Sequence, residues 1–249
     1  MHVTIDDIYV DGTLIEADDR VTQYRSPDRP LKYDGNKWRY RIMPDMLTFQ
    51  NDMMQQRMTH EAQGSTHLNF EFPQDHKPSV DMLQYLRTKG FSLGCVELYV
   101  IEAAQLRALT QQQIHMARVT SETLADYFAV FRPMSMEYGE AYIAETERYM
   151  RSVVEEAEHA VHYYVAYEAG QPVGVVNVIP SEHFVELDGF AVLPQCQKRG
   201  IGTRIQAAIG QLAQERPVIL VADAEDTAKD MYVKQGYTYA GFQYSALLE

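Results

Sequence analysis

Gln197-Lys198-Arg199-Gly200-Ile201-Gly202 is the stretch on which the fold turns. A stretch over residues 184–193 that reads as a strand precedes it and stops at Pro194. After it, Ile201, Ile205, Ala208, Ile209 and Leu212 recur at helical spacing. A strand, a short basic turn and an amphipathic helix together make an anion site. The helix N-terminus offers unpaired N–H groups and a partial positive charge. Gly200 and Gly202 lack a Cβ, so backbone there can approach a phosphate closely. Lys198, Arg199 and Arg204 gather positive charge in a chain whose net charge is −13. Two familiar phosphate loops are excluded by spacing. The dinucleotide fingerprint Gly-x-Gly-x-x-Gly would need a third glycine where Ile205 stands, and the Gly-x-x-x-x-Gly-Lys-Ser/Thr loop is absent.

Working outward, residues 114–120 read as a strand, and Ser121 is placed to cap a helix whose apolar face begins with Leu124 and Phe128. A second helix is expected over 140–158, with Ile143, Met150, Val153, Val154 and Ala157 on one side. Residues 162–167 and 173–179 flank the turn Glu168-Ala169-Gly170-Gln171-Pro172, a hairpin signal. Pro217 ends the helix after the basic turn, and the apolar run 218–222 reads as a buried strand. A helix over 226–235 follows, with Asp226 as N-cap and Gly236 as stop, before a closing strand from Tyr237. The order β-α-α-β-β-β-α-β-α-β predicts a three-layer α/β arrangement, a mixed central sheet flanked by helices.

The N-terminal region contains a diverged echo of this pattern. Lys89-Gly90-Phe91 opens a stretch that parallels the one opened by Gln235-Gly236-Tyr237, and each follows a strand and then a helix. This alignment sets Leu86 against Tyr232. No Gly-x-Gly occurs in residues 1–113, so a copy there would lack the anion loop. With no Gly-, Ser- or Pro-rich linker, the boundary is placed near 108–114. That gives a degenerate or accessory domain over 1–110 and the principal domain over 114–249.

The totals narrow the classes. At 249 residues, 46% hydrophobic and 23% charged, the chain is an ordinary globular one with no run long enough to span a membrane. Acids at Asp6 and Asp7 stand where a secretory leader would be basic and then apolar, so a cytoplasmic location is expected. The two cysteines, Cys95 and Cys196, suggest no disulfide framework, and the eight histidines show no zinc spacing, so no metal is expected. The net negative charge disfavours a nucleic-acid partner and suits a cationic one.

Three motifs carry a resemblance. They are Gln197-x-x-Gly200-x-Gly202 after a strand, the strand ending Val192-x-Pro194, and Ala228-x-x-x-Tyr232-x-x-x-Gly236-Tyr237. In this order residues 114–249 resemble the GCN5-related N-acetyltransferase (GNAT) superfamily. The resemblance implies acetyl-CoA as cosubstrate, with its pyrophosphate on Gln197, Lys198, Arg199, Gly200, Ile201, Gly202 and Thr203. Backbone at Phe190, Ala191 and Val192 would pair with the acetyl carbonyl and the pantetheine amides. It further implies Tyr232 as general acid to the departing thiolate. Glu186, six residues before Val192, matches the catalytic glutamate of some members. Asp188, two residues on and on the same face, is a second candidate base, and water a third. The acceptor would be an amine of a small molecule or peptide, a choice that the acids Glu137, Glu140 and Glu186 favour, and a homodimer is left open as the assembly. One departure stands out, because Glu225 occupies a position where the family often has Asn. Two rivals are a non-catalytic acyl-CoA-binding or regulatory module and an aminoacyl-transferring relative. The second needs a charged-tRNA donor, which the net negative charge disfavours.

Overall fold

Apolar runs and helical spacings convert into strands and helices in the expected order. The computed structural model describes residues 3–225 and 228–249, without the side chain of Ala228. The elements are β1 (Thr13–Ala17), β2 (Val21–Arg25), β3 (Lys37–Tyr40), α1 (Met46–Gln63), β4 (Leu68–Glu71), α2 (Val80–Thr88) and β5 (Ser92–Ile101). They continue with α3 (Ala103–Ala108), β6 (His115–Arg118), α4 (Leu124–Met134), α5 (Gly139–Val153), β7 (His162–Glu168) and β8 (Gln171–Pro180). The last are β9 (Val185–Val192), α6 (Ile201–Ala213), β10 (Val218–Asp223), α7 (Ala228–Gln235) and β11 (Thr238–Leu248). Two compact units result. One comprises Met1–Leu98, Ala222–Lys229 and Ala240–Glu249; the other comprises Tyr99–Val221 and Asp230–Tyr239. Strands β5, β10 and β11 therefore each run from one unit into the other.

In the first unit the strand order is β1-β2-β3-β4-β11-β5. β1/β2, β2/β3 and β4/β11 are antiparallel, while β3/β4, joined through α1, is parallel. The core is aromatic: Tyr40, Phe49, Phe70 and Phe72 are at most 1% exposed, and Phe49 and Phe70 rings meet edge-on at 5.0 Å. The last strand of the chain completes this unit, with Ala246 of β11 facing Phe70 in the ladder and buried in the same core. Asp45 caps α1, its carboxylate accepting from Thr48 N–H at 2.8 Å. The methionines of α1 lie at the margin, since Met46 and Met53 are partly buried against the core and Met54 and Met58 are exposed.

In the second unit β6/β7, β7/β8 and β8/β9 are antiparallel, and β9/β10, joined through α6, is parallel. β7 turns into β8 through Ala169 and Gly170, both at positive φ (50° and 77°), as a two-residue hairpin turn of the twisted-ribbon kind requires. Helix α3 packs directly on α6. A Cβ added at Gly210 would lie 2.8 Å from Leu106 Cβ and 2.9 Å from Ala103 O, so only glycine permits this approach.

The internal echo is structural as well as sequential. β2-β3-α1-β4-α2-β5 repeats the order β8-β9-α6-β10-α7-β11. Both α2 and α7 end on a left-handed glycine, Gly90 (φ 87°) and Gly236 (φ 96°). Phe91 N–H then donates to Leu86 O at 3.0 Å, and Tyr237 N–H to Tyr232 O at 3.1 Å. Leu86 thus holds the place of Tyr232 by hydrogen-bond position. The first unit is a diverged copy of the same α/β pattern.

Some local expectations need correction. Ser121 does not cap α4: its N–H donates to Glu155 Oε1 at 2.6 Å, and the helix begins after Thr123. α5 stops at Val153, which leaves Ala157 exposed beyond it. The expected cap at Asp226 lies outside the described residues. No helix of the described residues is long and apolar enough to cross a membrane.

Candidate active site

The basic turn between β9 and α6 begins with a short 3-10 turn, Pro194–Cys196. Gln197 Nε2 then donates to Val192 O at 3.0 Å, which ties the turn back onto the strand end. Lys198 (φ 59°) and Gly200 (φ 74°) both take left-handed backbone, and Gly200 is the N-cap residue of α6. No side chain caps this helix. Its N-terminal N–H groups, with Ile201, Gly202 and Thr203 in the first turn, are left to a ligand or to water. At Gly202 an added Cβ would sit 3.3 Å from Phe190 Cζ, so the turn fits closely over β9. The equivalent helix start in the first unit, α1, is instead closed by the carboxylate of Asp45.

The positive charge at this turn is partly offset, which the sequence reading did not anticipate. Glu168, at the end of β7, pairs with Arg199 and, at 2.7 Å, with Arg204. The hydrogen bond from Arg204, aided by the charges of both arginines, holds Glu168 below the usual carboxylate range. Arg204 Nε is buried without a hydrogen-bond partner.

β9 carries a bulge where the chemistry is expected. Val175 faces Ala191 and Asn177 faces Asp188, so three steps on β9 oppose two on β8. Gly189 sits in the bulge at φ 53°, and a Cβ there would be 2.5 Å from Asn177 Nδ2. The parallel register with β10 covers only Val185 and Glu186. Phe190, Ala191 and Val192 lie beyond that pairing and are half-buried.

The candidate catalytic side chains differ in setting. Glu186 is 6% exposed and stands where β9 is paired on both sides; Asp188, on the same face, is exposed. Asp188 Oδ2 accepts from Asn177 Nδ2 at 3.2 Å, and Asn177 Oδ1 accepts from the Tyr127 hydroxyl at 2.9 Å. Burial, with the Asp188 charge second, pushes the Tyr127 phenol far above its ordinary range, so it stays protonated. Tyr232 is buried on α7, its ring 5.3 Å from that of Tyr237 and 6.3 Å from that of Tyr99. Tyr237 in turn donates to Gln206 Oε1 at 3.1 Å. Glu137 and Glu140 are exposed, with Glu140 3.8 Å from Arg132. Glu225, the departure noted above, is also exposed. Among the described residues no group of three or more His, Cys, Asp and Glu side chains is arranged to hold a metal ion.

Sequence reading missed Glu168, Asn177 and Tyr127. Asn177 left a signal, being the one polar residue in the run 173–179. Tyr127 and Glu168 left none, because their partners are 50 and 31 to 36 positions away in sequence.

Comparison with known proteins places a known domain family over this region. The acetyltransferase (GNAT) domain family matches residues 159–239, and a domain of unknown function, DUF5613, matches residues 3–99. No curated protein matches the chain. A functionally unknown conserved protein from Staphylococcus epidermidis ATCC 12228 is 42% identical over 99% of this chain and 98% of its own, with a TM-score of 0.93. A GCN5-related N-acetyltransferase from Kribbella flavida shares the fold at 15% identity (TM-score 0.65; 94% of this chain, 88% of that one). So does a tandem GNAT protein from the clavulanic acid biosynthesis pathway at 11% identity (TM-score 0.52; 86% of this chain, 75% of that one). The chain is thus of one family with the Staphylococcus protein, and it carries a GNAT domain in its C-terminal half with a diverged copy of the fold ahead of it.

Proposed function

We propose that the chain is an acetyl-CoA-dependent N-acetyltransferase that acylates a primary amine of a small molecule or peptide in a ternary complex. One observation carries this reading: α6 starts at Gly200 with no side-chain cap, directly after the bulged end of β9. The matching helix start in the first unit is closed by Asp45, so catalysis is assigned to the second unit, which holds most of the domain placed over 114–249, and an accessory role to the first.

In this reading the α6 N–H groups, with Gln197, Lys198, Arg199, Gly200, Ile201, Gly202 and Thr203, hold the pyrophosphate, and Phe190, Ala191 and Val192 offer backbone partners to the pantetheine arm. Acetyl-CoA supplies the acetyl group as a thioester, whose C–S bond breaks as the amine nitrogen forms its bond to the carbonyl carbon. Asp188 is exposed and faces the bulge, so it receives the acceptor ammonium and relieves it of a proton, directly or through water. Glu186 is more enclosed and serves as the alternative base. Tyr232 gives its hydroxyl proton to the departing sulfur and is reprotonated by the second proton that the nitrogen loses as it becomes an amide.

The test is release of free thiol from acetyl-CoA with a panel of amines, using wild type and Tyr232→Phe. Turnover by wild type, lost in Tyr232→Phe while cofactor affinity is kept, supports the proposal. Tight cofactor binding with no turnover of any amine would sink it in favour of a binding module.

A further inference from the structure

We propose that Asn177 is a positioning residue: anchored by the buried Tyr127 hydroxyl, it aims the Asp188 carboxylate at the acceptor amine while propping the β9 bulge. The inference rests on the acetyltransferase reading above.

Three contacts carry it. Tyr127 O–H donates to Asn177 Oδ1 at 2.9 Å, which fixes the orientation of the amide, because only the oxygen can accept. The amide nitrogen is thereby turned to Asp188 Oδ2 at 3.2 Å. The same nitrogen lies 2.5 Å from where a Cβ of residue 189 would be, so it fills the space that the glycine of the bulge leaves open. The anchor itself is rigid. Tyr127 is 3% exposed and its ring packs at 5.7 Å from Tyr163 and 6.1 Å from Phe131.

The three residues come from three elements, α4, β8 and β9, and form one line from the interior to an exposed carboxylate. A carboxylate at the surface ordinarily samples several rotamers, and holding an ammonium in one place costs that freedom. A side-chain amide locked by a buried phenol removes part of the cost in advance, so its effect belongs in amine binding rather than in cofactor binding. The lone polar residue of the apolar run 173–179 acquires a function by this route.

The experiment measures steady-state kinetics of the full chain with acetyl-CoA and the best amine of the panel, for wild type, Tyr127→Phe, Asp188→Ala and the double variant. Tyr127→Phe should raise the amine KM about fivefold to tenfold, the value of one lost hydrogen bond, and leave the acetyl-CoA KM within about twofold. In the Asp188→Ala background the same change should have no further effect. Asn177→Ser, which cannot span both partners, should repeat the pattern and serves if Tyr127→Phe does not fold. An unchanged amine KM overturns the proposal, and so does an equal loss in the Asp188→Ala background, since a structural defect would not depend on Asp188. Wild-type turnover separates these outcomes from failure of the underlying reading, because absence of turnover with any amine overturns both.

Discussion

Substituting Gly189 by alanine is the most demanding perturbation of the bulge, and its size follows from three contributions. An L-residue at φ 53° costs about 1–2 kcal/mol relative to glycine. The added Cβ would stand 2.5 Å from Asn177 Nδ2 and 3.1 Å from its Cγ, so the amide must rotate away. That rotation breaks the bonds to Asp188 and from Tyr127, at about 1 kcal/mol each. The total loss is roughly 3–4 kcal/mol. Gly170→Ala is the control, because Gly170 has φ 77° with nothing within 4 Å of the added Cβ, so only the conformational cost of about 1–2 kcal/mol applies. Urea denaturation of both variants beside wild type reads the difference directly. A Gly189→Ala variant no less stable than Gly170→Ala would refute the claim that Asn177 fills the bulge.

Further outcomes are expected elsewhere. Gly210→Ala should lose about 1–3 kcal/mol by overpacking the α3–α6 contact, read by denaturation, and a variant as stable as wild type would deny that contact. Glu168→Gln should tighten acetyl-CoA binding severalfold at low salt by releasing Arg199 and Arg204, with the gain shrinking as salt is added; equal or weaker affinity would count against the loop's charge holding the cofactor. In the first unit, burial, with His60 adding to it against the bond to Asn36 O, lowers His67 from 6.5 to about 4. The unfolded chain then takes up that proton first, so the stabilisation is complete above about pH 6.5 and is lost towards pH 4, on the order of 3 kcal/mol. His67→Gln should flatten that dependence in denaturation series between pH 7 and 4, and an unchanged slope would contradict it.

The order of elements over 114–249 was readable because each is signalled locally. Periodicity marks α5 and α6, Ala169-Gly170 marks the hairpin, and Gly236 marks the end of α7. Gly90 made the first copy visible for the same reason, since a helix stop that needs a left-handed residue leaves glycine in the sequence. What was not readable is long-range. The completion of the first unit by β11 depends on a ladder between Ser245 and Glu71, which no local pattern encodes. The pairing of Glu168 with the loop arginines is likewise a contact in space. The bulge was hidden in plain alternation: Glu186 and Asp188 share a face, yet only the register reveals the extra residue beyond them. Ser121 failed as a cap because Glu155 claims its N–H, a competition invisible at the helix start.

The central claim is that the turn over residues 197–202 of the second copy, and not its counterpart in the first, holds acetyl-CoA. Calorimetric titration of acetyl-CoA into the full chain tests it, with Gly202→Asp and Asp45→Ala alongside wild type. One site per chain is expected, weakened at least about tenfold when Gly202→Asp sets a carboxylate at the uncapped start of α6, and unchanged by Asp45→Ala. Absence of binding to wild type, or binding that Gly202→Asp leaves intact, would contradict the account.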